Sequence, residues 1–99
     1  MSVEHAERYH NAVRAELDEE RAAVLGRVAR RLEQARARCE ALGVRLDAAA
    51  TPDPELLAEH RLAHAEADRW RWVLCVQREA IGLCDHRWVD AVYPALRRR

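Results

Sequence analysis

The feature that most constrains this chain is the regular spacing of a set of mostly apolar residues. In the second half they recur at alternating intervals of four and three residues, which places them along one side of an α-helix in the pattern of a coiled-coil seam. A matching series runs through the first half. Two such series joined by a short loop predict an all-α antiparallel helical hairpin. The two series are Val24, Val28, Leu32, Ala35, Cys39, Leu42 and Leu46, and Leu56, His60, Ala63, Ala67, Trp70, Leu74, Gln77 and Ile81.

Residues that start and stop helices set the boundaries. Asp53 can cap a helix whose first position is Pro54, since a carboxylate accepts the free N–H groups there and proline needs no N–H bond. Gly82 suits the left-handed conformation past a helix end, and Asp85 can cap a third helix that stops before proline. We therefore expect one domain, 1–99. It comprises a helix over about 3–46, a loop over 47–53, a helix over about 54–81, a short helix over about 85–93, and a frayed tail over 97–99.

Charge favours the antiparallel orientation. The chain has 17 basic and 17 acidic residues, and its blocks alternate in sign. Segments 1–20 and 47–68 are acidic, whereas 21–46 and 69–99 are basic, so folding back near residue 50 sets opposite charges side by side. Every basic residue is arginine, which indicates a GC-rich genome more than selection for bidentate contacts.

The cysteines and the hydropathy pattern bear on the compartment. Cys39, Cys75 and Cys84 cannot all pair within one chain, and none stands in a Cys-x-x-Cys arrangement. The N-terminus is charged from Glu4 onward, and the longest apolar run, 72–76, is far too short to span a bilayer. We expect a cytoplasmic protein with free thiols and no membrane segment.

The second helix carries more apolar surface than one partner helix can cover. It is apolar on nearly every side between Trp70 and Val76, as in helices from the interior of bundles. We therefore expect a homodimer with a four-helix core, and a surface for a protein partner. The overhanging residues 3–17 of the longer first helix need a cover, for which the third helix is the nearest candidate. The expected partner-binding residues are Trp70, Trp72, Val73, Val76 and Trp88.

Two patterns suggest metal ligands. His60 and His64 are one helical turn apart, and a fold-back in which facing residue numbers sum to about 100 sets Cys39 and Glu40 opposite His60. His60, His64 and Cys39 are thus the candidate metal ligands, against the simpler interpretation of His60 as a polar seam residue. The pair Glu7 and His10 also has the spacing of carboxylate-bridged sites, but such pairs arise by chance in a Glu-rich chain.

Two further patterns bear on catalysis and nucleic-acid binding. Cys84, Asp85 and His86 combine a thiol, a carboxylate and an imidazole, but neighbours on a helix point apart, and nothing indicates an oxyanion hole. Arginines interleave with tryptophans as on nucleic-acid surfaces, although the net charge of zero argues against that use. The arginines concerned are Arg30, Arg31, Arg38 and Arg97–Arg99.

These observations predict a non-enzymatic helical interaction or scaffold protein that acts by self-association and partner binding, with no cofactor. A metal- or small-ligand-binding bundle is the first alternative. A nucleic-acid-binding accessory protein is the second.

Overall fold

The computed structural model describes residues 2–99 and is built of helices. Helix α1 spans Val3–Ala48, α2 spans Pro54–Ala80 and α3 spans Arg87–Val92. No strand occurs in this part of the chain, which confirms the all-α prediction. Helices α1 and α2 pack against each other as a hairpin, and the molecule measures 75 × 20 × 15 Å. Across residues 2–99, no helix combines the length and apolar character that a bilayer crossing requires.

Helix α1 is continuous through Gly26 and two residues longer than expected. It begins after Ser2, whose Oγ accepts the N–H of His5 at 3.1 Å. It continues through Asp47 and Ala48 and ends where Ala49 turns extended, at ψ 130°. Alanine has the highest helix propensity, so the Asp-Ala segment prolongs the helix until the chain approaches Pro52.

Both predicted signals that bound α2 are confirmed. Asp53 Oδ1 accepts the N–H groups of Glu55 and Leu56, at 3.1 and 3.2 Å. At the other end, Gly82 takes the left-handed conformation with φ +89°, and the N–H of Leu83 donates to Arg78 O at 2.9 Å. This bond is characteristic of a Schellman motif, which ends helices. Helix α2 therefore ends at Ala80, one residue before the predicted limit.

The core divides into two clusters along the hairpin. The first lies near the C-terminal end of α2 and consists of Val28, Leu32, Leu74, Val89 and Tyr93. The second lies nearer the loop and consists of Cys39, Leu42, Leu56 and Ala63. Leu32 and Val89 are fully buried; a large aliphatic side chain so placed contributes about 1.5–3 kcal/mol.

The chain after Gly82 runs back along the hairpin groove. Helix α3 places Val89 against Leu32 and Leu74, and residues 93–99, here called the strap, continue toward the loop. Tyr93 Oη donates to Glu33 Oε1 at 2.8 Å, and the Arg36 guanidinium donates to the Pro94 carbonyl at 2.7 Å. The strap ends where the Arg99 guanidinium binds the Asp47 carboxylate.

This path corrects four expectations for the C-terminal segment. Helix α3 begins at Arg87 rather than at 85, because Asp85 Oδ1 accepts the N–H of Arg87 outside the helix. It ends at Val92, since a residue before proline disfavours the helical conformation. Arg99 is held by its ion pair instead of fraying, and α3 lies on the first core cluster rather than on the overhang.

Alternating charge does not act through direct pairs between the two long helices. Within residues 2–99, no ion pair shorter than 4.0 Å joins α1 to α2. Two ion pairs instead hold the C-terminal segment, Arg71 with Asp90 and Arg99 with Asp47. The Arg99 guanidinium keeps the pKa of the Asp47 carboxyl below its usual range through its hydrogen bond.

Candidate functional site

Cys39 and His60 meet in the second core cluster, as the predicted fold-back requires. Cys39 on α1 and His60 on α2 are 1% and 2% exposed, and Cys39 Sγ lies 3.5 Å from His60 Nε2. The other ring nitrogen, His60 Nδ1, is buried and has no hydrogen-bond partner in residues 2–99. The pair therefore lies in the interior, beneath the strap.

The surroundings of this pair favour the neutral thiol and the neutral imidazole. Burial raises the pKa of Cys39, and the negative charges of Glu40 and Asp68 add to the effect. Burial lowers the pKa of His60, and the positive charges of Arg99 and His64 lower it further. A thiol acts as a nucleophile or metal ligand in its ionised form, so this environment suppresses both uses.

His64 is directed toward other partners. Its Nε2 lies 3.1 Å from the Leu96 carbonyl oxygen of the strap, and its Nδ1 lies 3.3 Å from Asp68 Oδ2. The Leu96 carbonyl only accepts, so the hydrogen bond at Nε2 uses a ring N–H as donor. The rings of His60 and His64 are 6.2 Å apart between centroids.

The three candidate metal ligands are thus only partly brought together. Cys39 and His60 are adjacent, whereas both nitrogens of His64 already face other groups. The described chain holds no group of three or more His, Cys, Asp or Glu side chains arranged to bind a metal ion. An adjoining groove of about 300 Å³ is lined by both histidines together with Arg98 and Arg99. Metal binding remains a prediction, and the two guanidinium groups oppose it by repelling a cation.

The other two chemical patterns are dispersed. Glu7 and His10 lie exposed on the first turns of α1. Asp85 binds the amide and guanidinium of Arg87. His86 Nε2 lies 2.8 Å from Glu79 Oε1. Their hydrogen bonds therefore join Asp85 and His86 to residues other than Cys84.

The predicted partner-binding residues divide between half-buried and exposed. Trp70 and Val73 are half-buried against the first core cluster. Trp72 on α2 is 66% exposed, Val76 lies one turn further on the same helix, and Trp88 is exposed on α3. We call these last three residues the tryptophan surface. Large aromatic side chains exposed in this way are typical of binding surfaces.

Arginine side chains of this chain lie over the rings of two of its tryptophans. The guanidinium carbons of Arg31 and Arg69 lie 5.9 and 5.6 Å from the Trp70 ring centroid. That of Arg78 lies 5.2 Å from the Trp88 centroid. Arg31, Arg69 and Arg78 therefore make cation–π contacts with tryptophans inside the molecule.

A second exposed surface lies at the start of α1. Residues 3–23, here called the arm, are exposed at every position, and Val24 and Leu25 are the first to pack on the hairpin core. The arm has its own stripe of mostly apolar residues, at intervals of three and four. It comprises Val3, Ala6, His10, Val13, Leu17 and Glu20. The same spacing rule reveals this stripe in the sequence.

Comparison with known proteins identifies no relative. No family model, curated protein or solved structure matches this chain.

Proposed function

We propose that this protein is a non-enzymatic helical interaction protein that acts by self-association and by binding a protein partner. The observation that carries the proposal is the arm. Its 21 residues form helix and are exposed at every position, and they present a regular, mostly apolar stripe to solvent. Helices of this length are marginal alone in water and gain most of their stability from packing an apolar face. A second helix against the stripe supplies that packing.

The interior supports a non-enzymatic function. Cys39 and His60 form a close thiol–imidazole pair that is buried, and their surroundings favour the neutral forms. A catalytic pair needs access to substrate and an ionisable nucleophile. The pair is better suited to fixing the register of α1 against α2, because a polar contact inside a seam is satisfied in one alignment only.

The tryptophan surface supports partner binding. Trp72 and Trp88 expose about half or more of their area in the single chain. Tryptophan contributes more binding energy at interfaces than most residues, because it buries a large rigid surface at little entropic cost. The four-helix core expected from the sequence stays a prediction, and it requires this surface to lie between the two copies. If the arms form the dimer, this surface stays free for a partner.

The first test is the mass in solution. Light scattering on the purified chain at 1–100 μM, roughly the range in which small helical dimers form, should return twice the 11.4 kDa of one chain. The fraction of dimer should fall on dilution. A folded protein of 11.4 kDa throughout that range would contradict self-association.

A second candidate function, binding of a small anion, is favoured by the groove beside His60. Its lining includes Arg98 and Arg99, and His60 Nδ1 beside it has no partner in residues 2–99. Phosphate should then raise the melting temperature above that in chloride of equal ionic strength, because ligand binding to the folded state stabilises it. The same melt with and without chelator tests the metal alternative.

A further inference from the structure

We propose that the arms of two copies pair as an antiparallel two-stranded coiled coil, in which His10 of one copy faces Val13 of the other. The inference rests on the proposed self-association and states which surface performs it. The tryptophan surface then remains free in the dimer.

The arm stripe lies on the side of α1 that faces α2 further along. Stripe residues Leu17 and Glu20 lead at intervals of three or four residues into Val24 and Val28, which pack on α2 residues of the first core cluster. Helix α2 ends at Ala80, and every residue of the arm is exposed. A helix from a second copy can therefore extend the line of α2 along the arm.

The position of α2 decides the orientation. If two arms ran parallel, the partner's α1 would continue past residue 23 into the space that α2 occupies. In the antiparallel arrangement the partner's helix starts at that point, with its Val3 beside Glu20, and runs away from the hairpin. Both helices are then free of α2 over residues 3–20, about 27 Å at 1.5 Å per residue.

Segment 1–20 is acidic overall, but the charges that flank the stripe and the register agree with a second copy as the occupant. In an antiparallel coiled coil, a positions face d positions, and here this sets facing residue numbers to sum to about 23. Ala6 then faces the partner's Leu17. Glu7, which flanks the stripe, lies near the partner's Arg14, and two-fold symmetry repeats this opposite-charge pair. His10 is a polar stripe residue, and such residues set register at a cost in stability.

Substitutions at two exposed leucines distinguish an arm interface from an interface elsewhere on the molecule. Leu17 on the arm and Leu62 on α2 are 45% and 73% exposed, so an aspartate at either position leaves the hairpin core intact. Leu17→Asp should weaken the dimer at least about 100-fold, because it removes two buried leucines per dimer. Leu62→Asp and Trp72→Glu should leave the dissociation constant unchanged. Circular dichroism checks that every variant keeps helices α1 and α2.

A charge exchange tests orientation and register. Glu7→Arg should weaken the dimer on the order of tenfold, because it sets two arginines against two arginines. Adding Arg14→Glu should restore the affinity by recreating both pairs in reverse. Glu19→Arg makes the same charge change on the side of the helix away from the stripe and should have little effect.

The outcomes are distinguishable. A wild-type monomer overturns both self-association and arm pairing. A wild-type dimer that survives Leu17→Asp, or that Trp72→Glu dissociates, overturns arm pairing and leaves self-association intact. A dimer that Leu17→Asp dissociates, but in which Arg14→Glu fails to rescue Glu7→Arg, overturns the stated register and with it this inference.

Discussion

His60 shows how one buried side chain couples this fold to pH. The ring lies between α1 and α2, and the ionisable groups that face it are Cys39, His64 and Arg99. Burial and the positive charges lower its pKa from the ordinary 6.5. The unfolded chain, where the ring is solvated, therefore takes up a proton at a higher pH than the folded chain does.

The free energy of unfolding should consequently fall as pH drops through 6.5 toward the lowered pKa of His60 in the folded state. Above pH 6.5 the stabilisation contributed by the neutral ring should be complete. Urea unfolding of wild type and of His60→Gln between pH 7.5 and 5.5, roughly the range over which a solvated histidine titrates, measures this, and the variant should show the shallower decline. His5→Gln, which alters an exposed histidine, is the control. Equal slopes for wild type and His60→Gln would refute the coupling.

At the scale of elements, the docking of the six-residue α3 depends mainly on the side chain of Val89. So short a helix has no stability of its own in water. Val89 anchors it because this side chain is fully buried among Leu32, Leu74 and Tyr93. The T-shaped contact of Trp88 with Tyr93, at 6.1 Å between centroids, and the ion pair of Arg71 with Asp90 add to the docking.

Two valines on α3 test this docking. Val89→Ala should lower the free energy of unfolding by about 2 kcal/mol, because it leaves a cavity in the first core cluster. Val92→Ala should change it by less than about 0.5 kcal/mol, since Val92 is 46% exposed. Chemical denaturation of both variants measures the difference, and equal losses would mean that α3 does not dock through Val89.

The whole molecule is an elongated body with two regions of different stability. The Cα radius of gyration is 19.9 Å, against roughly 13 Å for a compact domain of 100 residues. Residues of α1 from Val24 to Leu46 pack against α2 and the C-terminal segment, whereas every residue of the arm is exposed. Local opening should therefore be easiest in the arm.

Hydrogen exchange at several concentrations tests this division. At dilutions that leave the chain monomeric, amides of residues 3–23 should exchange fastest in α1, and their protection should rise with concentration as the arms become covered. Protection of residues 28–42 should stay constant and serves as the internal control. Strong protection of the arm at every concentration would contradict the dependence of its protection on the dimer.

The elements of this fold were predictable from the sequence because local chemistry sets them. Capping by Asp53 and the left-handed turn at Gly82 involve groups within a few residues of each other. The contact of Cys39 with His60 was predictable as well, since a short loop between two periodic seams allows few alignments.

The path of residues 83–99 was decided by the tertiary structure alone. Its extended strap forms no periodic pattern and is held by residues far away in the chain, such as Glu33, Arg36 and Asp47. Whether α3 would cover the arm or the hairpin groove depended on which surface buried Val89 and Tyr93 more completely. That choice is a sum of long-range contacts, which no local signal encodes, and it leaves the arm exposed.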